Sequence, residues 1–108
     1  MKLKLIVIYV SDPFISKKFY ETVFDIKFEV EKHDSGPVHY STFFEGVIFE
    51  LYPQRNRPLS KIRLGFKVED FSVYLERLSQ LEHSYNLNNE SISFLDLDGN
   101  SIELSAGF

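Results

Sequence analysis

The sequence predicts an α+β fold of two tandem βαβββ modules, and three observations lead there. Each half opens on a β-rich run ending in Val-x-Asp, "LIVIYVSD" at 5–12 and "RLGFKVED" at 63–70. Each half also reaches an acid-glycine pair followed by an apolar residue, a glutamate and a leucine in register, "EGVIFEL" at 45–51 and "DGNSIEL" at 98–104. Between these ends, apolar residues recur first at helical spacing and then in short β-rich runs.

The elements follow in order. The run from Leu5 to Val10 is far short of the roughly 20 residues that span a bilayer and carries no small-residue cleavage site, so it reads as a buried strand of a soluble chain. Asp12 is placed to cap a helix with Pro13 at its first position, where a missing N–H costs nothing, and Ile15, Phe19 and Val23 form an apolar stripe facing a sheet. Strands are expected at about Ile26 to Lys32, Val38 to Phe44 and Val47 to Tyr52. "PQRNRPLSK", residues 53–61, holds two prolines and three basic residues and reads as a linker between module one (1–52) and module two (62–108) of a single domain. In module two Asp70 caps a helix whose Phe71, Tyr74, Leu75, Leu78 and Leu81 share a face, with Glu76, Arg77 and Gln80 outside. Strands then follow at about Ser84 to Leu87, Ser91 to Leu97 and Ser101 to Ser105. Asp98-Gly99-Asn100 makes the last turn, since Gly and Asn both tolerate positive φ. Alternation along the final strand sends Ile102 and Leu104 inward and Ser101, Glu103 and Ser105 to the other face. Glu103 has a twin in module one, Glu50.

Composition excludes some functions. The 12 basic and 16 acidic residues give a net charge of -4, which argues against a nucleic-acid partner. With no cysteine there is no disulfide framework, thiolate metal site or thiol nucleophile, which suits a reducing, cytoplasmic setting. The 11 Phe and 6 Tyr, with no Trp, mostly fill the core of a small domain.

Two such modules, with a capping Asp before "FYETVFDI" and a late "DGNSIEL", resemble the vicinal oxygen chelate superfamily, which includes glyoxalase I, bleomycin-resistance proteins, fosfomycin-resistance enzymes and extradiol dioxygenases. The resemblance implies a curved mixed sheet, a cup, with helices on its outer face. It further implies four converging positions where metal-dependent members place ligands, here Leu5, Glu50, Arg63 and Glu103. Leucine has no donor atom and arginine no lone pair, so the expectation is no metal and no cofactor. Arg63 would stand in the metal's place, its guanidinium offsetting Glu50 and Glu103 and donating in a planar fork. The competing reading is an ion cluster without a ligand.

Tyr9 and Tyr52 share strand faces with Leu5 and Glu50 and join the expected ligand-binding set of Tyr9, Glu50, Tyr52, Arg63 and Glu103. Half-buried packing at a sheet edge would place them there equally well. His33, His39 and His83 could supply a replacement metal ligand, but His33 and His83 fall near strand ends or turns and His39 has no partner at characteristic spacing, so a histidine metal site is the less favoured reading. Arg55, Arg57 and Lys61 could guard the cup with positive charge, but a solvated linker is the favoured reading. Three functions stay open. A metal-independent binder of a small, aromatic or apolar molecule, similar to bleomycin-resistance proteins and paired as a homodimer, explains the missing ligands best. A metal-dependent lyase, isomerase or dioxygenase relative needs ligands this chain lacks, though Glu50 or Glu103 could act as a base without a metal. A regulatory module with a vestigial cup is the third.

Overall fold

Asp12 ends a strand and starts a helix within one turn of chain. In a computed structural model describing residues 1–108, its carboxylate accepts the N–H groups of Phe14 and Ile15 at 3.0 and 3.1 Å, two of the donors a helix start leaves free. This joins β1 (Leu5–Val10) to α1 (Pro13–Phe24), and β2 (Glu29–Glu31), β3 (His39–Phe44) and β4 (Val47–Pro53) complete the first of two compact units, Met1–Ser60. The strand order is β1-β4-β3-β2, with β1 parallel to β4 and the other pairs antiparallel. Ile8, Val10, Phe49 and Leu51 are buried on the helix side of this sheet, and Tyr20 meets Phe49 edge-on at 5.2 Å.

One detail of α1 differs from expectation. Ser16, Phe19, Tyr20 and Val23 are its buried face, while Ile15 is 52% exposed. Neighbouring helical residues point about 100° apart, and the cap at Asp12 fixes the phase so that 16, 19, 20 and 23 share the inner side. Every-fourth-residue spacing found the stripe but misjudged its centre.

The second unit, Lys61–Phe108, repeats the plan with β5 (Arg63–Lys67), α2 (Phe71–Gln80), β6 (Asn86–Leu87), β7 (Ser91–Leu95) and β8 (Ser101–Ser105), ordered β5-β8-β7-β6. The two βαβββ modules are therefore present, each with its own four-stranded mixed sheet. Asp70 caps α2, and the hydroxyl and N–H of Ser72, at 2.6 and 2.9 Å, hold its carboxyl below the usual range. Leu78 is fully buried, but Leu81 lies past the last helical residue and is 41% exposed. Several strands are shorter than expected. β2 pairs only with His39 to Ser41, and β6 only with Ile92 and Ser93, so each edge strand ends where its partner's hydrogen bonds end.

The turn into β8 also departs from prediction. Gly99 alone takes positive φ, at 87°. Asn100 is instead fully buried: its amide donates to Asp96 at 2.9 Å and its carbonyl oxygen accepts Ile62 N–H at 2.9 Å, tying β8 to the entry of β5. Ser105, expected on the open face, is 8% exposed and accepts the N–H of Gly107. No helix is long and apolar enough to cross a membrane. Asn100→Ala should cost about 2–3 kcal/mol, because it strands the Ile62 N–H and removes a donor from the buried Asp96. Urea unfolding will show this as a lower midpoint at unchanged slope.

Candidate functional site

Glu45 and Gly46, both at positive φ (49° and 79°), make a two-residue turn between β3 and β4. Phe44 then pairs with Val47 and, counting back, Ser41 with Glu50. Strand alternation puts Val7, Tyr9, His39, Ser41, Glu50 and Tyr52 on the face away from α1. On this face Tyr52 stacks on His39, with ring centroids 4.0 Å apart and 13° between planes, and Tyr9 stands 6.0 Å from Tyr52.

The linker is tied to β1 at Ser60, while Arg55, Arg57 and Lys61 are exposed. Tyr9 N–H donates to the Ser60 hydroxyl at 2.8 Å and Ser60 N–H returns to Tyr9 O at 3.0 Å. Arg57 lies over the Tyr9 ring at 4.1 Å, a cation–π geometry, and Lys61 donates to the Asp98 carbonyl at 2.6 Å. Both residues are exposed, as expected of linker charges, and each also makes one specific contact. Tyr9, Pro37, Tyr52, Gln54 and Arg57 border a cleft of ≈ 410 Å³.

His39 is the buried polar centre of the face, 1% exposed. Its Nδ1 lies 3.2 Å from the Pro37 carbonyl, which can only accept, so that nitrogen carries the proton. Nε2 points between two carboxylates, 3.4 Å from Glu31 and 3.8 Å from Glu50, and makes no hydrogen bond. His33 adds a second imidazole, its ring 5.1 Å from that of His39. Burial, and next the charges of Glu50 and Glu31, push the Tyr52 phenol above its ordinary pKa of 10.0.

In the second unit Arg63 is exposed and Glu103 half-buried, and they line one cleft of ≈ 280 Å³ with Ser101 and Phe108. They share the cleft without lying directly opposite: Arg63 pairs with Ser101, and Glu103 with Gly65. The Phe108 ring fills the space over Gly65, where a Cβ would come within 2.8 Å of it. His83 is engaged by the Leu95 carbonyl at 2.6 Å.

The expected residues thus divide by unit. Tyr9, Glu50 and Tyr52 stand together in the first, and Arg63 and Glu103 in the second. The two units match position by position: Leu5 pairs with Ile48 as Arg63 does with Ser101, and Val7 with Glu50 as Gly65 does with Glu103. Of the four positions that the resemblance singles out, Leu5 and Glu50 lie in the first unit and Arg63 and Glu103 in the second, and only the two glutamates carry metal-donor atoms. Sequence reasoning missed the grouping of His39, Glu31 and His33, and the place of Phe108 over Gly65. A signal for the first was present: a two-residue turn at Glu45-Gly46 fixes the register that sets His39 beside Tyr52 and on the same face as Glu50.

No family model and no curated protein sequence matches the chain. Solved structures do. Lactoylglutathione lyase from Agrobacterium tumefaciens superposes with a TM-score of 0.73 at 16% identity over 98% of this chain and 93% of that one. The fosfomycin resistance protein FosX from Mesorhizobium loti gives 0.74 at 21% over 100% and 91%. TnmS3, an antibiotic binding protein from Streptomyces sp. CB03234, gives 0.76 at 19% over 97% and 94%. At these identities the likeness is one of fold: the chain shares the fold of these three structures.

The raised phenol carries a pH dependence. Above pH 10 the unfolded chain loses the Tyr52 proton while the folded one keeps it, so this group's share of stability is intact below about 10 and falls as pH rises through the folded pKa. Ultraviolet titration at 295 nm (roughly the phenolate band) should resolve one late-ionising tyrosine that Tyr52→Phe removes, and Glu50→Gln should move it part of the way back.

Proposed function

We propose that the chain is a cytoplasmic small-molecule-binding protein of the glyoxalase and bleomycin-resistance type that works without the metal centre the enzymes of that fold build from four converging positions. The observation carrying this reading is the chemistry of those positions, where Leu5 and Arg63 replace donors while Glu50 and Glu103 remain. A lyase or isomerase of the metal-dependent kind would need lone pairs at the two lost places.

Aromatic and cationic groups make the ligand contacts. Tyr9, Tyr52 and Arg57 offer two ring faces and a guanidinium beside Glu50, and Arg63 with Glu103 and Phe108 offers a fork, an acceptor and a ring. A planar aromatic molecule bearing an anionic group suits both sets. The homodimer expected from the resemblance is part of this reading. Leu5, Ile48 and Phe43 form one cross-strand row and are 50%, 40% and 69% exposed, an apolar strip that a second copy would cover. Light scattering should return the mass of two chains rather than one.

Binding is tested with 2-naphthoate as probe, followed by saturation-transfer NMR and by the tyrosine ring resonances. Saturable binding should shift the Tyr9 and Tyr52 signals, and Tyr52→Ala should weaken it roughly tenfold, about 1.4 kcal/mol. Failure of naphthoate and of neutral naphthol alike to perturb either ring at millimolar concentration would sink the binding reading.

A further inference from the structure

We infer that His39, Glu31 and His33 form a binding site for one borderline divalent transition-metal ion of the zinc class. Its three ligands lie within a single hairpin and are none of the four family positions, of which only Glu50 borders the site. It goes beyond the ligand-binding reading and departs from the metal-free expectation drawn from the sequence.

The argument starts from the His39 imidazole. It is 1% exposed, so leaving Nε2 without a partner costs the desolvation of a polar nitrogen. The Pro37 carbonyl holds the proton on Nδ1 and leaves the Nε2 lone pair facing outward, the arrangement in which metal-bound histidines are fixed. An imidazolium bonded to the carboxylates would satisfy the same nitrogen. The distances do not suit it: 3.4 and 3.8 Å exceed the roughly 2.7–2.9 Å of a charge-assisted N–H···O bond.

They do suit a shared cation. Zinc bonds of about 2.0–2.2 Å to a histidine nitrogen and a carboxylate oxygen place those atoms about 3.3 Å apart at two corners of a tetrahedron. The Nε2 to Glu31 separation is 3.4 Å. His33 completes a trio whose ligand atoms all lie within 4.8 Å of one another, and its exposed ring is free to turn the remaining distance. Glu50, at 3.8 Å, stands close enough to take a fourth place or to hold a bound water. Two imidazoles and one or two carboxylates select Zn²⁺, Ni²⁺ or Co²⁺ over Mg²⁺ or Ca²⁺.

The second unit supplies an internal control. Its register sets Ser91 where the first unit has His39, Ser93 where it has Ser41, and Glu103 where it has Glu50. There Ser91 donates to the Asn88 side chain at 3.3 Å. The neutral version of the same corner closes on itself; the version with His39 and Glu31 does not.

The test is calorimetric titration of ZnCl₂ into the chelator-stripped full chain at about pH 7.5, where histidine is mostly neutral. One equivalent should bind, raise the melting temperature, and shift the ¹⁵N resonance of His39 Nε2 well beyond that of Nδ1. His33→Ala alters only an exposed side chain, and it should fold normally while weakening Zn²⁺ roughly tenfold or more. His39→Gln should abolish stoichiometric binding, and His83→Ala should leave it unchanged. Less than about a fifth of an equivalent bound to the wild type, or one equivalent retained by both His33→Ala and His39→Gln, would overturn the site. Neither result bears on the naphthoate measurement.

Discussion

The face of the first unit depends on a two-residue turn. Glu45 and Gly46 both sit at positive φ, the conformation a tight hairpin needs to follow the twist of its strands. That turn leaves no freedom in register, and a slip of one residue would send either Glu50 and Tyr52 or His39 and Ser41 into the layer under α1. Burying two or three unpaired polar groups there would cost several kcal/mol, so hydrophobic pattern and turn chemistry enforce the same pairing. The parallel pairing of β1 with β4 then brings Val7 and Tyr9 alongside Glu50 and Tyr52.

Both units use this frame with different chemistry. In the second, a longer turn is held by Asp96 and Asn100, whose side chains take up the N–H groups of Asp98, Asn100 and Ile62. The outcome is again a glutamate on the last strand across from a serine, Glu103 and Ser93 against Glu50 and Ser41. The difference lies at the far end of the sheet. The connection from β2 to β3 is longer than that from β6 to β7, and its extra length carries His33. A single architecture thus supports a polar corner that closes on itself and another that leaves a buried nitrogen unpartnered.

Much of this was legible in the sequence. Val-x-Asp at 10–12 and 68–70, with the repeated glutamate, gave the modules, the helix starts and the equivalence of Glu50 with Glu103, because caps and strand alternation are local rules. The centre of the α1 stripe and the length of the edge strands were not legible, since a cap's phase and a partner's hydrogen bonds decide them. Asn100 was read as a turn residue because its type favours turns, but a buried amide can also bridge two backbones, and only the fold shows which. The histidines were judged by sequence spacing alone. His33 and His39 meet through the antiparallel pairing of Glu31 with His39, where distance along the chain says little about distance in space.

Where the ligands come from matters as much as what they are. A centre assembled from strands far apart in sequence forms only when the whole sheet is in place. Glu31, His33 and His39 lie on one hairpin, so their geometry is set as soon as β2 and β3 pair. The stacked Tyr52 couples this corner to the cleft beside it. Glu50 and Glu31 both work to raise the Tyr52 phenol, and a cation between those carboxylates would offset both effects while leaving burial unchanged.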